Sequence, residues 1–167
     1  MLEIKVIGIG GIGCALLPYL ARYLQSSGEP ARLTLVDGDA FEARNGDRQA
    51  FSELGNKAKV KAMELARQFE GLSFRAIPEF VTPENVGTVI RSGDVVFLGV
   101  DNHRTRRVVS EHCRRLADVS LISGGNDYSD GNVQVYVRQA GRDITSPLTR
   151  FHPEIAEPKD RSPHEMS

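Results

Sequence analysis

Four glycines near the N-terminus have the spacing of a phosphate-binding turn. Gly8, Gly10, Gly11 and Gly13 follow an apolar segment and precede a segment with helical periodicity. Glycines allow a tight turn and a close approach of the backbone to phosphate oxygens, and the first N–H groups of a helix attract negative charge. The motif predicts a nucleotide phosphate site, with a purely structural turn as the alternative. The glycines alone do not distinguish a dinucleotide from ATP.

Two acidic residues follow the second apolar segment. Asp37 ends that segment, where a carboxylate can accept two hydrogen bonds from a ribose diol. This interpretation fits NAD and ATP equally well. Asp39 lies two residues later and is either a second ligand of the nucleotide or a solvated turn residue.

A polar segment after these acids helps to distinguish an NAD-dependent redox site from a group-transfer site. Asn45, Arg48 and Gln49 are followed by Lys57 and Lys59. A redox domain that binds NAD does not need these amide and cationic groups beside the phosphates. A phosphoryl or adenylyl transfer site does, because negative charge develops on the transferred group and on the leaving pyrophosphate. The alternative is that they are ordinary loop and helix-surface residues.

Another acid follows the most apolar predicted strand. Asp101 is placed where a carboxylate can hold Mg²⁺ that bridges phosphate oxygens, with Asn102 beside it. Asp101 also precedes a predicted helix, so it is a candidate N-cap. The two roles are compatible.

Hydrophobic periodicity predicts the elements that position these residues. Alternating strands and helices with one glycine-rich first turn predict an α/β fold with a doubly wound, mostly parallel Rossmann-like sheet and a C-terminal hairpin strand. Ligands of such sheets bind at the carboxyl ends of the strands, which places residues 8–13, 37–39 and 100–102 around one crevice. The predicted strands are 2–9, 32–37, 73–77, 94–100, 119–122 and 133–137, and the predicted helices are 14–25, 57–70, 83–91 and 102–117.

Three local expectations accompany these elements. Pro18 should kink the first helix or loosen its first turns. Thr82 should begin the third helix as its N-cap. The second helix should turn its apolar residues toward the core, namely Val60, Met63, Leu65, Ala66 and Phe69.

Composition bounds the function classes. The chain has 167 residues, 40% of them hydrophobic, and a formal net charge of -1, which fits a soluble globular protein and gives no electrostatic reason to bind nucleic acid or an anionic membrane. Two cysteines without a Cys-x-x-Cys pair favour a reducing cytoplasm. The uncharged stretch 6–21 is too short to span a bilayer. Residues 1–140 are predicted to form the nucleotide-binding domain, and residues 141–167 a proline-rich extended or disordered tail.

Taken together, the motifs resemble the ThiF/MoeB family, the adenylating domain shared with ubiquitin-activating enzymes. The resemblance covers residues 2–137, and the tail is similar to that of ThiF-like proteins of the bacterial PRTRC system. Its residues in order are Gly8-x-Gly10-Gly11-x-Gly13-Cys14, Leu35-Val36-Asp37-Gly38-Asp39, Asn45-x-x-Arg48-Gln49, the segment from Gly55 to Lys59, Asp101-Asn102 with Arg106, and Ser123-Gly124-Gly125 leading to Gly131-Asn132-Val133.

The resemblance implies a reaction. ATP and the C-terminal glycine carboxylate of a ubiquitin-like or sulfur-carrier protein would form an acyl adenylate and release pyrophosphate. By position, the glycine turn would cradle the nucleotide, Asp37 would hold the ribose and Asp101 would hold Mg²⁺. The groups that would bind the phosphates and stabilise charge are Asn45, Arg48 and Lys59, with Lys57 as a substitute for Lys59; Asp39, Gln49 and Asn102 complete the predicted nucleotide site.

The sequence also departs from the family pattern. Members carry an N-terminal helix with an arginine that reaches the partner subunit's site, whereas this chain starts at the first strand, so we expect that arginine to come from a different partner or to be missing. We also expect a homo- or heterodimer. Cys14 and Cys113 are expected to be structural rather than thioester-forming. Two other functions stay open: a non-catalytic nucleotide-binding subunit, and an NAD-dependent oxidoreductase.

Overall fold

The computed structural model describes residues 1–42, 50–126 and 129–161. The chain divides into two compact units, residues 1–80 and residues 81–167. Each unit is described by itself below.

The first unit is a parallel βαβ arrangement. Strand β1 (Leu2–Ile7) pairs with β2 (Ala31–Val36), which in turn pairs with β5 (Ser73–Ile77), both in parallel. Helix α1 (Gly11–Ser27) connects the first pair. The first unit also contains a two-stranded antiparallel ribbon of β3 (Ala40–Phe41) and β4 (Gly55–Asn56), which is followed by α2 (Lys57–Gln68).

The second unit begins with parallel strands and ends with antiparallel ones. Strand β6 (Val95–Leu98) pairs in parallel with β7 (Val119–Asn126), and β7 pairs in antiparallel register with β8 (Gly131–Gln139). A short strand β9 (Arg142–Asp143) continues the antiparallel pairing. The helices of this unit are α3 (Val86–Val89), α4 (His103–Cys113) and two 3₁₀ helices, Leu148–Arg150 and Pro153–Ile155.

These elements confirm the predicted α/β class with mostly parallel strands and a C-terminal hairpin strand. The first helix differs from its prediction because it begins at Gly11, inside the glycine motif, rather than at Cys14. Pro18 lies within α1 without ending it, and the helix continues to Ser27. The helical turn therefore starts directly at the glycines, which brings its first N–H groups into the predicted phosphate site.

The predicted core face of α2 is partly wrong. Met63 and Ala66 are exposed, whereas Lys57 and Lys61 are buried. A hydrophobic pattern places lysines outside by default, because it carries no information about polar partners that make burial of an ammonium acceptable. Here both ammonium groups contact carboxylates, as described below.

The third helix also starts later than expected. Thr82 is not its N-cap, because residues 83–85 form a turn and α3 begins at Val86. The side chain of Asn85 accepts a hydrogen bond from the Thr82 N–H at 2.9 Å, and the Val86 N–H donates to the Thr82 carbonyl oxygen at 3.0 Å, so these bonds close a turn before the helix.

The tail contains more structure than expected. The short strand β9 and the two 3₁₀ helices follow residue 141, and Leu148 and Ile155 are buried. The carboxylate of Asp160 accepts a hydrogen bond from the His103 N–H at the start of α4. The expectation of a wholly extended or disordered tail is therefore wrong for residues 142–161, while the domain boundary at residue 140 stays a prediction.

Within the described ranges 1–42, 50–126 and 129–161, none of the helices has the length and apolar character required to cross a membrane.

Candidate functional site

The glycine turn is built by two close backbone constraints. Gly8 has a φ of +90°, a conformation that side chains with a Cβ rarely adopt. A Cβ on Gly13 would lie 2.2 Å from the Gly8 carbonyl oxygen, so only glycine fits where the first turn of α1 packs against the end of β1. The sequence motif thus has a direct steric cause at these two positions.

The middle of the turn is open instead of crowded. Gly10 occupies the N-cap position of α1 without a side-chain capping bond, and a Cβ placed on it would meet no protein atom within 4 Å. The first N–H groups of a helix have no intrahelical partner and carry the positive end of the helix dipole. An uncapped, open helix start of this kind can accept phosphate oxygens.

Asp37 lies beside this turn and is held by two backbone groups. Its Oδ2 accepts a hydrogen bond from the Ile9 N–H at 2.6 Å, and its Oδ1 accepts one from the Asp39 N–H at 2.8 Å. Burial raises the pKa of Asp37, and the two hydrogen bonds oppose that rise. A carboxylate has about four acceptor positions, so two stay free for a diol such as ribose.

Asp39 is exposed and forms an ion pair with Lys57, the residue that the sequence suggests only as a substitute for Lys59. The Lys57 Nζ lies 3.3 Å from Asp39 Oδ2, and the Lys57 side chain is only 8% exposed. Lys59 is exposed, and its backbone N–H donates to Asn56 Oδ1 at 3.0 Å. The structure thus places Lys57, not Lys59, beside the two acids.

Asn56 fixes this arrangement, and sequence reasoning missed it. Its Nδ2 donates to the carbonyl oxygens of Asp37 at 2.9 Å and Asp39 at 3.1 Å, while its Oδ1 caps the start of α2. One amide therefore ties the end of β2 to the helix that carries Lys57. An Asn directly before a run of helix-forming residues is an N-cap signal, and this signal could have indicated the capping role of Asn56.

Three predicted site residues, Asn45, Arg48 and Gln49, lie outside the described residues. Their roles stay predictions.

The second unit places Asp101 and Asn102 at the start of α4 in different roles. Asn102 is buried, and its Oδ1 accepts a hydrogen bond from the Thr105 N–H at 2.8 Å, so Asn102 is the N-cap. Asp101 is exposed, and within the described residues its carboxylate accepts no hydrogen bond. The alternative interpretation of Asp101 as the cap is therefore wrong, and its carboxylate is exposed to solvent.

Arg106 fixes the backbone around Asp101. Its buried guanidinium donates to the carbonyl oxygens of Val100 at 2.6 Å and Gly124 at 2.8 Å, and to Ser123 Oγ at 2.7 Å. Burial lowers the pKa of Arg106, and the charge of Asp101 opposes that fall. This residue ties the end of β6 to β7, a role that its place in the motif does not reveal.

A magnesium ion fits the donor chemistry of Asp101. Within the described part of the chain, no group of three or more His, Cys, Asp or Glu side chains forms a protein-only metal site. Mg²⁺ is usually held by one or two carboxylates together with substrate phosphates and water, not by a protein cage. A single exposed carboxylate meets that requirement.

The two cysteines lie in environments that disfavour a thiolate. Burial raises the pKa of Cys14, whose Sγ donates to the Ile9 carbonyl oxygen at 3.7 Å. Burial and the charge of Asp94 raise the pKa of Cys113 to about 12. Both observations agree with the expectation that these cysteines are structural.

Comparison with protein families identifies relatives of this chain. The model of the ThiF family matches residues 2–162. The Bos taurus protein "Adenylyltransferase and sulfurtransferase MOCS3" is 35% identical over 137 residues, which are 80% of this chain and 29% of that protein. The "tRNA threonylcarbamoyladenosine dehydratase" of Haemophilus influenzae is 29% identical over 151 residues, 87% of this chain and 56% of that protein. The chain thus spans about a third to a half of these relatives.

Solved structures agree with this fold. E. coli MccB, crystallised with AMPCPP and MccA, covers 82% of this chain with a TM-score of 0.68 at 24% identity, a likeness that shows the Rossmann-like fold alone; the match extends over 41% of that chain. E. coli TcdA, a tRNA N6-threonylcarbamoyladenosine dehydratase crystallised with ATP, covers 74% of this chain with a TM-score of 0.60 at 29% identity, over 51% of its own length.

Proposed function

Because this chain belongs to the ThiF family, we propose that it activates a carboxylate with ATP by adenylyl transfer. The observation that carries the proposal is the cluster in the first unit: an open, uncapped helix start beside a fixed carboxylate and a buried lysine. These groups supply phosphate recognition, ribose recognition and a positive charge. We propose the C-terminal glycine carboxylate of a ubiquitin-like or sulfur-carrier protein as the substrate.

In the proposed reaction, an oxygen of the substrate carboxylate attacks the α-phosphorus of ATP. The bond from that phosphorus to the bridging oxygen breaks, and pyrophosphate leaves with the electron pair. The N–H groups after Gly10 bind phosphate oxygens, and Asp37 holds the ribose diol. Lys57 neutralises charge that develops on the phosphates, a task in which Lys59 is the alternative on sequence grounds.

Asp101 is the proposed ligand of Mg²⁺. When bound, Mg²⁺ supplies charge stabilisation at phosphate oxygens. Arg106 keeps the backbone before Asp101 in place, and Asn102 caps the following helix, so the Asp101 carboxylate is presented from a rigid support. Arg48, Asn45 and Gln49 are proposed to bind phosphates as well, on the family pattern alone.

The partners are proposals drawn from the relatives. The MOCS3 protein is named as an adenylyltransferase and sulfurtransferase, and MccB was crystallised with MccA. A carrier protein with a flexible C-terminus ending in glycine would place a carboxylate of the required kind. A homo- or heterodimer is proposed, since the active sites of the family lie near a dimer interface.

Pyrophosphate exchange into ATP tests the proposal. We expect exchange that requires both Mg²⁺ and a carrier protein ending in glycine, with losses in Arg48→Ala and Asp101→Ala. Wild-type exchange in both variants would contradict the assigned roles. ATP binding without exchange, with candidate carriers present, would instead support a non-catalytic nucleotide-binding subunit.

Calorimetric titration distinguishes the nucleotide classes. We expect binding of ATP with Mg²⁺ and none of NAD, and the opposite result would favour the NAD-dependent oxidoreductase.

A dehydratase that acts on tRNA is a second candidate, because two of the matching proteins have that name. Exchange that tRNA stimulates and carrier protein does not would favour it. The net charge of -1 argues against it, since nucleic acid affinity depends on neutralising phosphates with positive charge.

A further inference from the structure

The C-terminal tail returns to the start of α4, immediately after Asp101 and Asn102. Oδ2 of the Asp160 carboxylate accepts a hydrogen bond from the N–H of His103, the first residue of α4. The first N–H groups of a helix have no partner within the helix and carry the positive end of its dipole. Asp160 therefore supplies an acceptor to α4 from a position 57 residues further along the chain.

The tail also packs on the rest of its unit through apolar side chains. The 3₁₀ helix Pro153–Ile155 contacts α4, and Ile155 is only 2% exposed. Leu148, in the other 3₁₀ helix, is 1% exposed. Burial of these apolar side chains stabilises the folded position of the tail. The tail therefore has an anchor that does not depend on the hydrogen bond to His103.

The Asp160 carboxylate is poorly satisfied for a group that would serve stability alone. Its second oxygen, Oδ1, is buried and has no hydrogen-bond partner among the described residues. A buried polar oxygen without a partner costs free energy, and the cost is larger for a charged group. A role in stability therefore does not account fully for an acid at this position.

The contact with the tail lies on the opposite side of Asp101 from Arg106. Arg106 donates to the Val100 carbonyl oxygen at 2.6 Å, and this carbonyl belongs to the peptide group before Asp101. Asp160 accepts from the His103 N–H, two residues after Asp101. Consecutive Cα atoms are about 3.8 Å apart, so the His103 Cα lies within about 8 Å of the Asp101 Cα. The backbone of Asp101 is thus supported on both sides, and the tail provides one of the two supports.

We propose that Asp160 is a positioning residue for adenylyl transfer, because it fixes the backbone after Asp101 while Arg106 fixes the backbone before it. The inference rests on the proposed role of Asp101 as the ligand of Mg²⁺. An exposed carboxylate depends on its backbone for its place in such a site. Reaction rates are sensitive to displacements of about 1 Å, even when the cause lies outside the reacting groups.

The competing explanation is that Asp160 contributes to stability and to nothing else. Asp160→Ala removes the acceptor, whereas Asp160→Asn keeps an acceptor oxygen on a side chain of nearly the same size. The matched control is Asp118→Ala, which removes a carboxylate that accepts a hydrogen bond from the Ala140 N–H at 2.9 Å. Asp118 precedes β7, so it lies at the opposite end of that strand from Gly124 and its contact with Arg106.

Steady-state pyrophosphate exchange is the first measurement. In Asp160→Ala we expect kcat to fall about tenfold and the Mg²⁺ concentration for half-maximal exchange to rise about fivefold, because the Asp101 carboxylate is less well placed. Both constants should stay within about threefold of the wild type in Asp160→Asn and in Asp118→Ala. An unchanged kcat in Asp160→Ala overturns the proposal, and so does an equal fall in either of the other two variants.

Amide hydrogen exchange followed by NMR is the second measurement and does not depend on activity. In Asp160→Ala the His103 amide should exchange about tenfold faster, whereas the Thr105 amide, which donates to Asn102 Oδ1, should change less than about threefold. Unchanged exchange at His103, or equal acceleration at both amides, overturns the local support. If the wild type shows no pyrophosphate exchange, the proposed function fails, while amide exchange still decides whether Asp160 holds this backbone.

Discussion

Asp37 and Asp101 both follow a parallel strand, but the molecule holds them in opposite ways. The Asp37 carboxylate is half-buried and accepts two backbone N–H groups, so its orientation is fixed. The Asp101 carboxylate is exposed, and the fixed part is its backbone, through Arg106 and the Asn102 cap. A fixed carboxylate suits a rigid ligand such as a ribose diol. An exposed carboxylate on a fixed backbone suits a metal ion that is also coordinated by phosphate oxygens and water.

The largest expected effect is on the exposed acid. Asp101→Asn should lower pyrophosphate exchange about 10³-fold, because it removes the proposed Mg²⁺ ligand, while the free energy of unfolding changes by less than about 0.5 kcal/mol. Parallel exchange assays and urea titrations measure both quantities. Asp130→Asn, at another exposed acid, is the control and should change neither. Exchange within threefold of wild type would show that Asp101 is not the Mg²⁺ ligand.

Arg106→Ala should have the next largest effect, and it acts on stability. The change leaves the Val100 and Gly124 carbonyl oxygens without their donor and should lower the free energy of unfolding by about 3 kcal/mol. Urea unfolding followed by circular dichroism measures it. Arg107→Ala, at an exposed neighbour, should cost less than about 0.5 kcal/mol. Equal losses in the two variants would mean that the support of Asp101 does not depend on Arg106.

Asp37→Asn should weaken nucleotide binding more moderately. One acceptor oxygen is replaced by a donor, so the side chain can no longer accept from two N–H groups and a diol together, and the Kd for ATP should rise about tenfold. Calorimetric titration measures the Kd. An unchanged Kd, with ATP binding intact, would remove Asp37 from the ribose site.

The smallest effect is a pH dependence. Because burial raises the pKa of Asp37 above its ordinary value of 3.8, the folded state binds this proton more tightly than the unfolded state. The contribution of Asp37 to the free energy of unfolding therefore falls as pH rises from 3.8 through its raised folded value. Subtracting the pH profile of Asp37→Asn from that of the wild type isolates this slope. A difference that rises with pH over that window would contradict the sign.

Strand ends are predictable from the sequence, whereas single capping and pairing choices are not. Strand β5 has the predicted bounds, 73–77, and Asp37 was placed correctly at the end of an apolar segment, because strand ends follow from hydrophobic runs. The choices between Asp101 and Asn102 as cap, and between Lys57 and Lys59 beside the acids, were not predictable in this way. The first depends on the backbone of Asn102, which is extended with φ −121° and ψ 142°. The second depends on the tertiary contacts by which Asn56 ties the start of α2 to Asp37 and Asp39.

Lys61 shows a second limit of sequence reasoning. Its burial depends on the Ala50 carbonyl and on Glu64, so it follows from contacts between segments that are far apart in the chain. The hydrophobic pattern instead predicts Met63 as the core residue in that part of α2. Local propensity cannot identify a polar core residue whose partners are supplied by tertiary structure.

The contrast between Gly10 and Gly13 has a consequence for how such a domain can diverge. A methyl group at Gly13 would overlap the Gly8 carbonyl oxygen. A methyl group at Gly10 would meet no protein atom within 4 Å and would clash only with a ligand bound at the turn. A lineage that abandoned nucleotide binding would be free to replace Gly10 and would still have to retain Gly13. If the proposed phosphate site is correct, we expect the residue at position 10 to vary with nucleotide binding, whereas the residue at position 13 should stay glycine wherever the fold is kept.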